Sequence, residues 1–154
     1  MLIMSFFYGI DFGTTNCAVV AYDERTQKLR NIGDILDNNP IPSVVAIRTF
    51  NDEVRVGREV KNNMLQMLTD GRHLVFQSVK SFLDKDVVKE TDSRSWNAEE
   101  VSAELFRTLA ERVRAAGLPP MEKAVVSIPI GMTPEKRRVL RRAANKAGLD
   151  IITF

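Results

Sequence analysis

The segment IDFGTTN, residues 10–16, constrains this chain most, because it joins two apolar runs at residues 6–10 and 17–22. Both runs are rich in residues that suit a buried sheet, and they predict two strands. Gly13 allows backbone N–H groups to approach an anion closely, and the two threonines add hydroxyl donors. Asp11 supplies the oxygen ligand that a hydrated divalent cation prefers. The segment therefore predicts phosphate and metal chemistry; the alternative is a hairpin turn that happens to carry threonines.

The segment is not a Walker phosphate loop, which requires the pattern G-x-x-x-x-G-K-[ST] followed by a helix. Here the turn is followed by a second strand, which predicts a strand-turn-strand unit. A phosphate site in this chain would therefore use the ends of strands rather than the start of a helix.

Composition predicts one globular domain with a real core. The 154 residues are 44% hydrophobic and 27% charged, and the formal charge of +2 gives no global attraction to nucleic acid or membrane. The single cysteine, Cys17, excludes an internal disulfide and fits a reducing, cytoplasmic compartment. Residues 1–7 are apolar, but they lack a basic leader and are too short to span a bilayer.

The first two thirds of the chain predict hairpins. Residues 29–32 predict a short strand, the apolar run 44–47 predicts another, and the alternating residues 53–56 predict a returning strand. Val60, Met64 and Leu68 lie on one face of a predicted helix over 58–68. Residues 84–97 are polar and predict an irregular segment.

The last third predicts helices alternating with strands. Asn97 and Glu100 form a capping signal for a helix over 98–116. Residues 124–128 predict a strand covered on both faces, Thr133 and Pro134 predict the start of a helix that runs to about residue 147, and 151–154 predict a further strand. The predicted fold is α/β, a mixed sheet with helical crossovers that includes a parallel βαβ unit. A chain that stops in a core strand suggests a piece of a longer protein.

Eight short blocks occur in an order that resembles the nucleotide-binding domain of the seventy-kilodalton heat-shock chaperones, the DnaK type. They are GIDFGTTN at 9–16, PSVVA at 42–46, VG at 56–57, VKSF at 79–82, AEEVS at 98–102, VVSIP at 125–129, RAA at 142–144 and AGL at 147–149. The first block is shared with sugar kinases of the same superfamily. The later blocks are specific to the chaperone branch.

The resemblance implies an actin-like ATPase, or ribonuclease H-like, fold of which this chain supplies the first lobe only. Residues 1–38 and 97–154 would form the core subdomain, and residues 39–96 a small, trimmed upper subdomain. The parent would bind Mg²⁺ with ATP or ADP and hydrolyse ATP to drive binding and release of unfolded peptide clients, assisted by cochaperones. The adenosine pocket and second phosphate loop would follow Phe154, so the fragment alone would be catalytically incompetent.

The resemblance also assigns roles within the first block. Asp11 would be a catalytic, metal-side carboxylate that holds Mg²⁺ mostly through water. Gly13, Thr14 and Thr15 would contact phosphate. Asn16 follows them, and a phosphate contact and an ordinary turn asparagine both remain open for it.

Lys80 would be the catalytic lysine of the family. It stands alone in the apolar run 74–83, and an unpaired buried cation is costly, so it needs an anionic partner such as a terminal phosphate. The alternative is a lysine on a helix edge that extends its ammonium to water.

The resemblance makes Pro129 and Arg137 an interdomain relay that senses the nucleotide. The chain departs from the family beside Pro129, because residues 130–132 are Ile-Gly-Met where the family usually has aromatic residues.

Two other functions remain open. A sugar-kinase-like phosphotransferase would need a sugar-contacting loop soon after the first motif, where residues 41–50 instead match the chaperone strand. A basic-helix interaction module would use the cationic side chains of one helix, Lys136, Arg137, Arg138, Arg141 and Arg142. No aromatic residue is interleaved with them, which favours a solvated face over a nucleic-acid site. The lone His73 has no second metal ligand at suitable spacing.

Overall fold

The computed structural model describes residues 5–154, a mixed α/β fold. Residues 1–4, which begin the predicted core subdomain and the apolar opening, lie outside the described part. The strands are β1 Phe6–Phe12, β2 Asn16–Asp23, β3 Lys28–Ile32, β4 Ile41–Pro42, β5 Val44–Arg48, β6 Val54–Val56, β7 His73–Gln77, β8 Val88–Glu90, β9 Ser95–Asn97, β10 Lys123–Ser127 and β11 Asp150–Thr153. The helices are α1 Arg58–Asn62, α2 Met64–Thr69, α3 Ala98–Ala115 and α4 Pro134–Lys146, with a 3₁₀ helix at Val79–Phe82.

The larger sheet has the strand order β11-β10-β1-β2-β3, with β4 paired to β2. Strand β2 runs antiparallel to both β1 and β3, whereas β10 is parallel to both β1 and β11. Helix α4 connects β10 to β11. The mixed sheet and the parallel βαβ unit predicted from the sequence are both confirmed.

A smaller sheet has the strand order β6-β5-β7, and α1 and α2 contact it. The prediction of a single helix over 58–68 is wrong, because the helix is interrupted at Asn63. This residue has a non-helical backbone (φ −114°, ψ 16°), and its side-chain amide donates to the carbonyl of Glu59 at 2.8 Å. The break shifts the helical phase. Met64 and Met67 therefore pack on the sheet, and Leu68 is exposed.

Residues 84–97 are not irregular throughout, because β8 and β9 form a hairpin with three residues in each strand. Asp52 joins this hairpin to the turn between β5 and β6. Its carboxylate accepts hydrogen bonds from Thr91 Oγ1 at 2.6 Å, from Trp96 Nε1 at 2.9 Å and from the Ser93 hydroxyl. These three donors lower the pKa of Asp52.

Helices α3 and α4 begin at the predicted caps. The Asn97 side chain accepts a hydrogen bond from the Glu100 N–H at 2.9 Å, and the Thr133 side chain accepts one from the Lys136 N–H at 3.3 Å. The apolar stripe predicted for α3 is buried and packs in the main core. It consists of Val101, Leu105, Leu109 and Val113.

The larger sheet buries one face only. Along β10, Ala124 and Val126 are buried, whereas Val125 is 45% exposed. The prediction that this strand is covered on both faces is therefore wrong, because the buried side chains of the sheet and those of α3 and α4 all belong to one core on the same face. Residues of the smaller sheet join that core, and the division into a core and an inserted upper subdomain stays a prediction.

Candidate phosphate-binding site

The turn between β1 and β2 is closed by a hydrogen bond from the Gly13 N–H to the Asn16 carbonyl, 2.9 Å. A Cβ atom on residue 13 would lie 2.4 Å from that carbonyl oxygen, so a turn this tight requires glycine. Thr14, Thr15 and Asn16 are exposed around it. The turn therefore presents hydroxyl groups to solvent at the end of the sheet.

Ser43, which is 2% exposed, is hydrogen-bonded to the backbone of this turn. Its N–H donates to the Thr15 carbonyl at 2.9 Å, and its hydroxyl donates to the Gly13 carbonyl at 3.0 Å. The Cys17 Sγ atom lies 3.2 Å from the same hydroxyl. Sequence reasoning did not assign this role, although a serine directly before the buried run of β5 was a usable signal.

Asp11 is exposed near the carboxyl end of β1, beside Ser127 of the parallel strand β10. The Ser127 hydroxyl donates to Asp11 Oδ1 at 3.2 Å. Within residues 5–154, no group of three or more His, Cys, Asp or Glu side chains is placed to hold a metal ion directly. A cation at Asp11 would therefore take most of its ligands from elsewhere.

Lys80 lies in the 3₁₀ helix and is only 7% exposed. Its Nζ donates to the Phe12 carbonyl at 2.5 Å, at the end of β1, and no ion pair involves Lys80 in the described part of the chain. Burial lowers the pKa of Lys80, while the nearby negative charge of Asp11 raises it. A nearly buried ammonium with one neutral partner is a favourable place for an anion.

A cleft of about 230 Å³ brings together Thr14, Lys80 and Pro129. It is completed by Ser81, Ile130, Gly131, Met132 and Lys136. Arg137 does not line this cleft, because it lies in a separate hollow with Arg138, Arg141 and Phe154. The structure thus joins the threonine turn to the lysine and to one member of the predicted relay pair, but not to the other.

Comparison with protein families decides the interpretation of this arrangement. The family model described as Hsp70 protein matches residues 7–153, nearly the whole chain. The chain belongs to the Hsp70 family. The predicted resemblance to the heat-shock chaperones is therefore confirmed, and the mixed α/β structure is that of a partial actin-like ATPase fold.

The Hsp70 match favours the chaperone branch over the sugar-kinase alternative. The structure also bears on the basic-helix alternative, since most cations of α4 are engaged within the chain. Arg138 pairs with Glu135 at 3.0 Å, Arg142 with Glu99 at 2.6 Å and Lys146 with Glu99 at 2.7 Å, and Arg141 donates to the Ile151 carbonyl at 2.5 Å. Such pairing fits a solvated helix face.

Two further observations describe this Hsp70 chain. The helices within residues 5–154 include none with the length and apolarity needed to cross a bilayer. His73 begins β7, where its Nδ1 lies 2.7 Å from the carboxylate of Asp70.

Proposed function

We propose that this chain forms one wall of a Mg-ATP site in a chaperone ATPase, the wall that faces the terminal phosphates. The observation that carries the proposal is the nearly buried ammonium of Lys80, which has one carbonyl partner and lines a cleft with Thr14. An anion that enters this cleft gains a charge-assisted hydrogen bond from Lys80, an ammonium that the nearby carboxylate of Asp11 also attracts.

Each residue of the wall has a proposed role. Lys80 neutralises the charge of the terminal phosphate and helps to position it for attack by water. Thr14 and Thr15 donate hydrogen bonds to phosphate oxygens, and Gly13 allows the backbone to approach them. Phosphoryl transfer depends mainly on such positioning and charge neutralisation, which suits an arrangement without a nucleophilic side chain.

Asp11 fits a role toward Mg²⁺, because its carboxylate is exposed beside the turn and Mg²⁺ usually keeps several waters when proteins bind it. Bound there, Mg²⁺ would neutralise phosphate charge. Asp11 would hold the ion through its waters, and the Ser127 hydroxyl would orient the carboxylate. Asn16 would act through its backbone carbonyl, which closes the turn, rather than as a phosphate ligand.

We further propose that ATP hydrolysis in the complete protein drives the binding and release of unfolded peptide clients with the help of cochaperones, in the cytoplasm. The buried, unpaired thiol of Cys17 supports a reducing compartment. Residues 1–38 and 97–154 would form the core subdomain and residues 39–96 the upper one. Pro129, at the cleft, would sense the phosphate, and Arg137 would act from the neighbouring hollow.

This chain by itself should bind nucleotide weakly and not turn it over, because Asp11, Thr14 and Thr15 are open to solvent on the side away from the core. A few charge-assisted hydrogen bonds, at about 1.5–3 kcal/mol each, must offset an association cost of at least ~4 kcal/mol. We therefore expect a dissociation constant for Mg-ATP on the order of 1 mM.

Titration of the ¹⁵N-labelled chain with Mg-ATP and with adenosine, followed by NMR, tests the proposal. We expect Mg-ATP to shift the amide signals of Thr14 and Ser81, and adenosine to leave them unchanged. The substitution Lys80→Met should weaken Mg-ATP binding about tenfold or more, since it removes a charged donor worth roughly 1.5–3 kcal/mol.

Lys61→Met is the matched control, because Lys61 is an exposed lysine on α1 outside the cleft. Equal binding of adenosine and Mg-ATP, or equal loss in both variants, would contradict the phosphate assignment. Sub-micromolar affinity would instead contradict the proposal that this chain supplies only one wall.

A further inference from the structure

Lys136 is a second cation at the same cleft. It lies in the first turn of α4, after the loop that follows β10, and its side chain lines the cleft with Thr14 and Lys80. Among the described residues that line this cleft, two carry a formal charge, and both are lysines. The lining is therefore positive and contains no carboxylate.

The ammonium of Lys136 is only loosely engaged by the protein. Its nearest carboxylate oxygen, Asp84 Oδ1, lies 3.9 Å from Nζ, which is beyond hydrogen-bond distance. The side chain is 26% exposed, so Nζ can reach both the cleft and the solvent. Asp84 therefore attracts Lys136 without consuming its N–H donors.

The two ammonium groups repel each other across the cleft. Burial is the largest cause of the lowered pKa of Lys80, the negative charge of Asp11 opposes it, and the positive charge of Lys136 adds a smaller lowering. An anion between the two groups would replace this repulsion by two attractions. Phosphate is well matched, because near neutral pH it carries up to two negative charges and several acceptor oxygens.

We propose that Lys136 is a phosphate-binding residue that shares one phosphate dianion with Lys80, first as the terminal phosphate of the nucleotide and then as inorganic phosphate. This inference rests on the proposed function, since it adds a second cation to the same site. Arg138, two residues further along α4, is the natural contrast, because it pairs with Glu135 and lies in the other hollow.

The test is an NMR titration of the ¹⁵N-labelled 154-residue chain with inorganic phosphate, with sodium chloride holding the ionic strength constant. Lys136→Gln should weaken phosphate binding about threefold to fivefold, the effect of one partly exposed charge pair. Lys136→Arg should restore most of the affinity, and the control Arg138→Gln should leave it unchanged.

Asp84→Asn should change the affinity for phosphate in the opposite direction. It removes the charge that partly neutralises Lys136, so phosphate should bind about twofold more tightly. In the double variant Asp84→Asn/Lys136→Gln this gain should disappear, because the cation through which Asp84 acts is gone.

The outcomes separate the two proposals. If Lys80→Met weakens phosphate binding and Lys136→Gln does not, the role of Lys136 is overturned and the proposed function stands. An equal loss in Arg138→Gln, or a gain from Asp84→Asn that persists without Lys136, also overturns it. If the unsubstituted chain shows no phosphate-dependent shift at Thr14 or Ser81, the proposed phosphate site itself is wrong.

Discussion

One buried serine, Ser43, holds the turn between β1 and β2 in its shape. Located directly before β5, it donates its hydroxyl to the Gly13 carbonyl and its backbone N–H to the Thr15 carbonyl. These bonds hold the backbone in place before any ligand arrives, so its exposed threonines need little reorganisation to bind. The same hydroxyl lies beside Cys17, which links the turn to a titratable group in the core.

The stability of the protein should fall at alkaline pH because of Cys17. Burial raises the pKa of its thiol to about 11, whereas the pKa of an exposed cysteine thiol is about 8.5. Between these two pH values the unfolded chain loses the thiol proton and the folded chain keeps it, so rising pH favours unfolding. We expect this group to lower the free energy of unfolding by up to about 3 kcal/mol across that window.

Urea unfolding at a series of pH values from neutral to strongly alkaline measures the effect. Other groups titrate in the same range, so the informative quantity is the difference between the unsubstituted chain and Cys17→Ala. The alkaline fall should be smaller in the variant. Parallel pH profiles would show that the thiol makes no such contribution.

At the level of single elements, the start of α3 depends on one side chain. Asn97 accepts the Glu100 N–H at 2.9 Å, which satisfies a backbone donor that the helix cannot pair internally. Asn97→Ala should therefore lower the free energy of unfolding by about 1 kcal/mol, measured by urea denaturation. Asn97→Asp should retain most of the stability, because a carboxylate also caps a helix.

Asn145→Ala is the matched control, since Asn145 is exposed within α4 and does not cap a helix. Its effect on unfolding should be small. A loss equal to that of Asn97→Ala would mean that the cap contributes nothing specific.

Elements with strong local signals could be predicted, and those governed by packing could not. Caps, apolar stripes and terminating glycines act within a few residues, so α3 and α4 were placed well. The break at Asn63 depends on a side-chain bond to a carbonyl four residues earlier, which apolar spacing does not register. The one-sided burial of β10 depends on which helices cover the sheet, and that is a tertiary property.

The candidate phosphate-binding site shows the same difference between local sequence signals and tertiary contacts. Thr14 and Lys80 are distant in sequence, and the resemblance, rather than any local pattern, indicated that they act together. Lys136 was grouped with the solvated cations of α4. A usable signal was its position one helical turn before the buried Leu140, which places it nearer the core face than Arg137 or Arg138.

At the scale of the whole molecule, the open face of the larger sheet should make copies of the chain associate. Phe7 is 56% exposed and Val125 is 45% exposed, and strand register places both on this face together with Val20. Apolar patches of this kind promote contact between molecules. Val125→Thr should reduce self-association while changing the free energy of unfolding by less than about 0.5 kcal/mol, as is usual for surface sites.

Sedimentation velocity over a range of protein concentrations measures this association. Val88→Thr is the control, because Val88 is 55% exposed on the β8–β9 hairpin, away from the sheet. Equal reduction by both substitutions, or a chain that stays monomeric at every concentration, would show that the open face does not drive association.

The contact between Asp52 and Trp96 makes tryptophan fluorescence a probe of the position of the β8–β9 hairpin. Trp96, the single tryptophan of the chain, is 3% exposed, donates its indole N–H to Asp52, and lies 3.9 Å beneath the guanidinium of Arg94. If the β8–β9 hairpin moves away from the turn between β5 and β6, the indole loses its bond to Asp52 and enters water, while Arg94, in the turn of the same hairpin, moves with it. Its fluorescence should therefore change when the hairpin moves, with no dye attached.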